Sequence, residues 1–110
     1  MMKIAISPAA GALLRALIAR AGVDRNRILL SDVHSTDWQS LTFAGERHEI
    51  RLRILGPNSA GVAERLLDGL ADAEFAIPGQ IVADIAASGQ PEAHADGSTE
   101  LALEALTISE

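Results

Sequence analysis

The chemistry open to this chain rests on three histidines, scattered carboxylates and hydroxyls, and no thiol, since cysteine is absent. Asp32-Val33-His34 sets a carboxylate and an imidazole two residues apart, which places both on one face of a strand. With His48 they make a candidate metal set, Asp32, His34 and His48, of two imidazoles and one carboxylate. No helical His-x-x-x-His spacing supports that set, and Asp32 or Asp37 closing a turn at a polar strand end explains the acids as well. His34-Ser35-Thr36-Asp37 contains the residue types of a catalytic triad, but sequence neighbours rarely converge in that geometry. There is no Gly-x-Ser-x-Gly elbow to present a serine. Gly56-Pro57-Asn58-Ser59-Ala60-Gly61 leads into a helix start, where backbone N–H groups favour anions. It lacks the lysine of a phosphate loop, so a helix cap is the expected role. His94 and Asp96-Gly97 fall in a polar loop over residues 89–98 and read as solvated turn residues.

These groups are positioned by a predicted β-hairpin over residues 38–54. Gly45-Glu46 suits a two-residue turn, which pairs Phe43 with His48, Leu41 with Ile50, Gln39 with Leu52 and Trp38 with Arg53. One face then carries Gln39, Leu41, Phe43, His48, Ile50 and Leu52, and makes His48 a packing residue at the core edge. The other carries Trp38, Ser40, Thr42, Glu49, Arg51 and Arg53, with Arg53 stacked on the only tryptophan.

Around the hairpin the periodicities predict the remaining elements. Ser7-Pro8 is a helix start and Gly22 a left-handed stop, with Ala10, Leu13, Leu14, Leu17, Ile18 and Ala21 forming an apolar stripe over residues 8–21. A strand is expected at residues 28–34, broken at Ser35-Thr36-Asp37, and a second helix carries Val62, Ala63, Leu66, Leu67 and Leu70 inward. After a Pro78-Gly79 turn come strands at residues 80–87, with Ile81, Ala83 and Ile85 on one side, and at residues 99–108. A further strand at residues 3–6 would precede the first helix. An offset of 53 positions lays helix on helix and His48-Glu49-Ile50 on Leu101-Ala102-Leu103, as an α-β-β unit used twice would, although the patterning of any small core explains the match as well. The expected class is α+β, a single domain over residues 1–110 with two helices on one face of a mainly antiparallel sheet. In element order it resembles the ferredoxin-like class, a resemblance that carries no activity.

Bulk properties exclude several functions. The 110 residues carry a net charge of -6, so the cationic surplus that nucleic-acid binding needs is missing. Lys3 before an apolar run, with Ala19-Arg20-Ala21, mimics a signal peptide, but Pro8 and Arg15 interrupt the run and an amphipathic helix explains it better. No stretch reaches the roughly 20 apolar residues of a membrane span. A soluble cytoplasmic protein without cofactor is expected, with neither nucleic acid nor membrane as partner. The strongest feature is the outer sheet face, where Trp38, Arg51, Arg53, Val82, Asp84, Glu104 and Leu106 combine apolar surface with charges of both signs. Such a patch suits a self-complementary homo-oligomer interface, or one with another protein partner, in preference to the floor of a ligand cleft closed by the loop over residues 89–98. The expected function is thus a self-associating binding or accessory module. The rival is a small metal-dependent or acid–base enzyme, or a ligand binder, using Asp32, His34 and His48.

Overall fold

The computed structural model describes residues 6–110. Helix α1 (Pro8–Ala21) and one 3₁₀ turn (Arg25–Arg27) lead into a hairpin of β1 (Ile28–Gln39) and β2 (Ala44–Ile54). Helix α2 (Ser59–Leu67) and a second 3₁₀ turn (Leu70–Asp72) precede β3 (Gln80–Ala87), the two-residue β4 (Glu92–Ala93) and β5 (Thr99–Ser109). All pairings are antiparallel and the strand order is β1-β2-β5-β3, with β4 also on β5. The class is therefore α+β. The strand expected at residues 3–6 lies outside the described residues except for Ile6, which stands in no strand.

Local chemistry explains α1. The Ser7 hydroxyl accepts from the Ala10 N–H at 3.1 Å, Pro8 needs no partner at the first helical position, and Gly22 closes the helix at φ 70°. Ala9 and Ala10 are buried, and Leu13, Leu17 and Ala21 form one core with Val62, Ala63, Leu66 and Leu70 and with Ile50, Leu52, Ile54, Leu101 and Leu103 of the central strands. Each fully buried Leu or Ile contributes about 1.5–3 kcal/mol relative to exposure, so this aliphatic layer dominates stability. The second helix is shorter than its stripe suggests. It ends at Leu67, Gly69 turns the chain at φ 68°, and Leu70 reaches the core from the following turn. Asn58 stands at its N-cap without a side-chain capping bond, while the Ser59 hydroxyl turns away to the β4–β5 loop.

The hairpin register differs from expectation. The turn is Ser40-Leu41-Thr42-Phe43, held by the Ser40 N–H on Phe43 O at 2.8 Å and the Phe43 N–H on Ser40 Oγ at 3.1 Å. Gly45 lies within β2, opposite Trp38, and Arg53 faces Leu29. The Trp38–Arg53 stack is therefore overturned: the two lie roughly 26 Å apart along the strand direction at ~3.3 Å per residue. Strand β1 also runs unbroken through Ser35-Thr36-Asp37, its first part reset by a bulge between Leu30 and Asp32. A matching bulge between Val82 and Asp84 in β3 reverses the expected facing there. Val82 packs on the core and Ile81 is exposed, whereas Ile85 is buried.

The sheet has the order of an α-β-β unit used twice, and β5 fills the place between β2 and β3. In the helices the buried residues repeat at the 53-residue offset: Ala9 and Val62, Ala10 and Ala63, Leu13 and Leu66, Leu17 and Leu70. At the sheet centre Ile50 pairs directly with Leu103, its own counterpart at that offset. An antiparallel pair of equivalent residues is what a local two-fold relating the halves requires. A ferredoxin-like order, with a strand ahead of α1, is not what the described residues form.

Candidate functional site

The helices leave the other face of the sheet uncovered. Strand alternation and the two bulges fix its residues in rows across the strands, in the order β1, β2, β5 and then the β3–β4 edge. The first row is Trp38, Gly45, Ile108 and Ile81; the second is Thr36, Arg47, Leu106 and Asp84. Then come His34, Glu49, Glu104 and Ala86, and next Asp32, Arg51 and Ala102 with Ser88 bonded at the edge. The last is Leu29, Arg53, Glu100 and Glu92. Apolar residues thus gather at one end and charges at the other.

At the apolar end Ile81 is 52% exposed, Phe43 54% and Leu41 fully so, beside half-buried Trp38, Leu106 and Ile108. Gly45 contributes no side chain to the first row between Trp38 and Ile108. The middle rows hold a shallow concavity of about 250 Å³ lined by Asp32, Glu49, Arg51, Ser88, Ala102 and Glu104. Its open, charged lining is unlike the enclosed apolar wall of a small-molecule pocket.

The polar end is tied together tightly. Asp96 Oδ1 accepts from the Ser98 N–H at 2.9 Å and from its hydroxyl at 2.6 Å, while Arg53 Nε donates to Ser98 Oγ at 2.8 Å. The Ser98 bonds, side chain first, hold the Asp96 carboxyl below its ordinary pKa, with smaller help from Arg53 and His94. From the start of α2, Ser59 Oγ donates to Gly97 O at 2.6 Å and pairs with Thr99 Oγ1 at 2.8 Å. The 56–61 turn is thus tied to this loop through Ser59, and the side-chain helix cap expected of it is not formed. Arg51 reaches Glu100 at 3.4 Å. On β4 and its loop, Glu92 and His94 have donor atoms that lie within 4.8 Å of each other and of Glu100. His94 Nε2 is shielded from solvent and has no hydrogen-bond partner, a condition that costs about 1–3 kcal/mol in a folded chain.

Asp32 and His34 share the open face, as their spacing implies, but His48 does not join them. It is buried on the helix-facing side, with Nδ1 2.7 Å from Ser35 Oγ and Nε2 2.8 Å from Thr107 Oγ1. Burial lowers its pKa, against a smaller opposing pull from Glu46. The Asp32, His34 and His48 set is therefore split across the sheet and makes no common site. Of the expected interface set, Trp38, Arg51, Arg53, Asp84, Glu104 and Leu106 share the open face and Val82 does not. Arg51 and Arg53 take Glu100, Asp96 and Ser98 of their own chain as partners. Ile108 falls on the open face as the alternation of the last strand predicts, whereas Ile81 was expected on the core side, because the β3 bulge is silent in hydropathy. Glu92 and Glu100 were legible in principle: an Asp96-Gly97 turn pairs them across a hairpin, beside a second acid-x-His alternation. Among the described residues no helix is long and apolar enough to cross a membrane. Compared with known families, curated proteins and solved structures, the chain has no match.

Proposed function

We propose that this chain is a cytosolic, non-enzymatic binding module that associates with a second copy of itself through the apolar end of its open sheet face. The carrying observation is the row Trp38, Gly45, Ile108 and Ile81, which holds no charged residue, flanked by Leu106 and exposed Phe43 and Leu41. Contiguous exposed apolar surface rimmed by charge supports an interface. A two-fold running along the central strands in the interface plane sets Trp38 against the second copy's Ile81 and Ile108 against the bare backbone at Gly45. The same operation brings Arg47 within one strand's width of the second copy's Asp84, so the flanking charges are complementary. Glu49 faces the second copy's Glu104 in the next row, a repulsion that opposes the contact and that the apolar row must outweigh. The absence of cysteine fits a reducing compartment.

Sedimentation across a concentration series tests this. The wild-type chain is expected to form a dimer, and Ile81→Asp to weaken it at least about tenfold by placing a charge in the contact. Leu29→Asp, on an exposed residue at the opposite end of the same face, should leave the dimer intact. A monomer at every concentration, or equal weakening by both variants, overturns the reading.

A further inference from the structure

We propose that Glu92, His94 and Glu100 bind a divalent transition-metal ion, with zinc the best match, and that the ion fastens β4 to β5. Three observations meet here. First, His94 Nε2 is the one solvent-shielded side-chain nitrogen or oxygen among the described residues with no hydrogen-bond partner. Buried polar atoms are nearly always satisfied, and an unplaced ion is one of the few physical explanations for an exception. Its nearest acid, Glu100 Oε1, is 3.9 Å away, beyond hydrogen-bond range. That distance approaches the roughly 3.4 Å between donors around a tetrahedral ion with bonds of ~2.0–2.1 Å.

Second, Glu92 and Glu100 are direct cross-strand partners. Like charges so placed repel, and β4 has only one other pair, Ala93 with Thr99, to hold it. A cation between the carboxylates reverses the sign of that contact. Exposed Glu92 supplies the adjustment needed to close donors that now lie within 4.8 Å.

Third, the scaffold is already ordered. The His94 N–H donates to Ser98 O at 2.9 Å and the Gly97 N–H to His94 O at 3.1 Å, with Gly97 at φ 88°. Asp96, Ser98, Arg53 and Ser59 lock the loop as described, so the imidazole and Glu100 are held on a fixed hairpin. Ligands on rigid, supported elements bind metals best. Arg51 contacts Glu100 but is 56% exposed. It reaches the same Glu100 Oε1 that faces His94, an exposed and solvent-screened contact that a bound ion would displace.

The donor set selects the ion. One imidazole with two carboxylates suits zinc and its first-row neighbours, whereas calcium and magnesium favour all-oxygen shells and copper(I) favours sulfur. Three protein donors leave at least one position for water. The site lies at the opposite end of the sheet from the Trp38 row, so it stands apart from the self-association reading.

Titration of chelator-treated full-length protein with zinc chloride, followed by calorimetry, tests the proposal. One ion per chain is expected, and cobalt(II) in its place should give the intense visible bands of a four- or five-coordinate site. His94→Ala and Glu92→Gln should each weaken binding at least about tenfold, by analogy with losses at supporting residues of known sites. Glu92→Gln is nearly isosteric and exposed, so it keeps the comparison valid if His94→Ala disturbs the hairpin. His34→Ala should bind like wild type. No stoichiometric uptake, uptake unchanged in both Glu92→Gln and His94→Ala, or loss in His34→Ala instead overturns the site.

Discussion

Gly45→Ala should lower stability by about 2–4 kcal/mol, and Tm by roughly 10–20 °C for a domain of this size. A Cβ at this position would lie 1.9 Å from Thr107 O, 2.9 Å from Thr107 C and 3.0 Å from Ile108 Cα. These are backbone atoms of β5, which is bonded on both edges and cannot swing aside as a side chain would. The methyl group must therefore separate β2 from β5, adding lost ladder bonds of about 0.5–1.5 kcal/mol each to the overpacking. With native stabilities near 5–15 kcal/mol, that is a large fraction of the total. Gly11→Ala makes the contrast. Its Cβ would meet only the Ile6 and Arg15 side chains, at 3.6 and 3.7 Å. Within α1 that exchange should stabilise by up to about 1 kcal/mol. Thermal melts of the two variants beside wild type decide the matter. A Gly45→Ala melt within a degree or two of wild type would show that the β2–β5 contact is looser than the geometry requires.

The same glycine marks where the sequence misleads. Gly45-Glu46 carries the turn signal, while the real turn, Ser40-Leu41-Thr42-Phe43, contains two large apolar residues and no glycine. Gly45 is kept small by close approach of β5, a long-range demand that no local pattern expresses. Placing the turn there moved Trp38 beside Arg53 and sent Leu41 and Phe43 into the core, when both are exposed. The bulges at Leu30/Asp32 and Val82/Asp84 have the same character, because one extra residue reverses every facing beyond it. Local codes fared better. Ser7-Pro8 and Gly22 bound α1 at both ends, and residues 80–87 form a strand as the alternation indicates. The element order shared by the two halves was also legible, although only the Ile50–Leu103 pairing shows how the halves meet.

That pairing bears on how the open face came to be available. In a sheet built from two α-β-β halves, both helices fall on one side, because each unit crosses in the same sense and the local two-fold runs through the sheet. One layer of helices then covers one face only, and the other must be solvated or shared. A wholly charged exterior would make it solvated. Here the rows grade from Arg53, Glu100 and Glu92 at one end to Trp38, Ile108 and Ile81 at the other, so only the apolar end has reason to be shared.

Stability should also fall as pH drops below about 6.5, with His48 as the source. The imidazole is buried among Ser35 of β1, Thr107 of β5 and the core. When neutral it donates from one nitrogen and accepts at the other, and the two hydroxyls can complement either tautomer. A proton added on the accepting nitrogen would place a charge out of water and force one hydroxyl to reverse. Only Glu46 offers compensation, and burial outweighs it, so the folded pKa lies below the ordinary value. The unfolded chain then takes up the proton first as pH falls. The contribution is complete above the unfolded pKa near 6.5 and is lost below it, until the folded pKa is reached, with a slope of at most about 1.4 kcal/mol per pH unit. Urea midpoints between pH 8 and pH 5 should therefore decline in wild type before most carboxylates titrate. His48→Gln keeps a donor and an acceptor toward Ser35 and Thr107 but has no proton to gain, so its midpoint should start lower and vary less with pH. His48→Ala, which leaves a cavity and two unpaired hydroxyls, should cost about 2–5 kcal/mol at pH 8. If His48→Gln declines as steeply as wild type over that range, the titration belongs to another group and the buried imidazole serves packing alone.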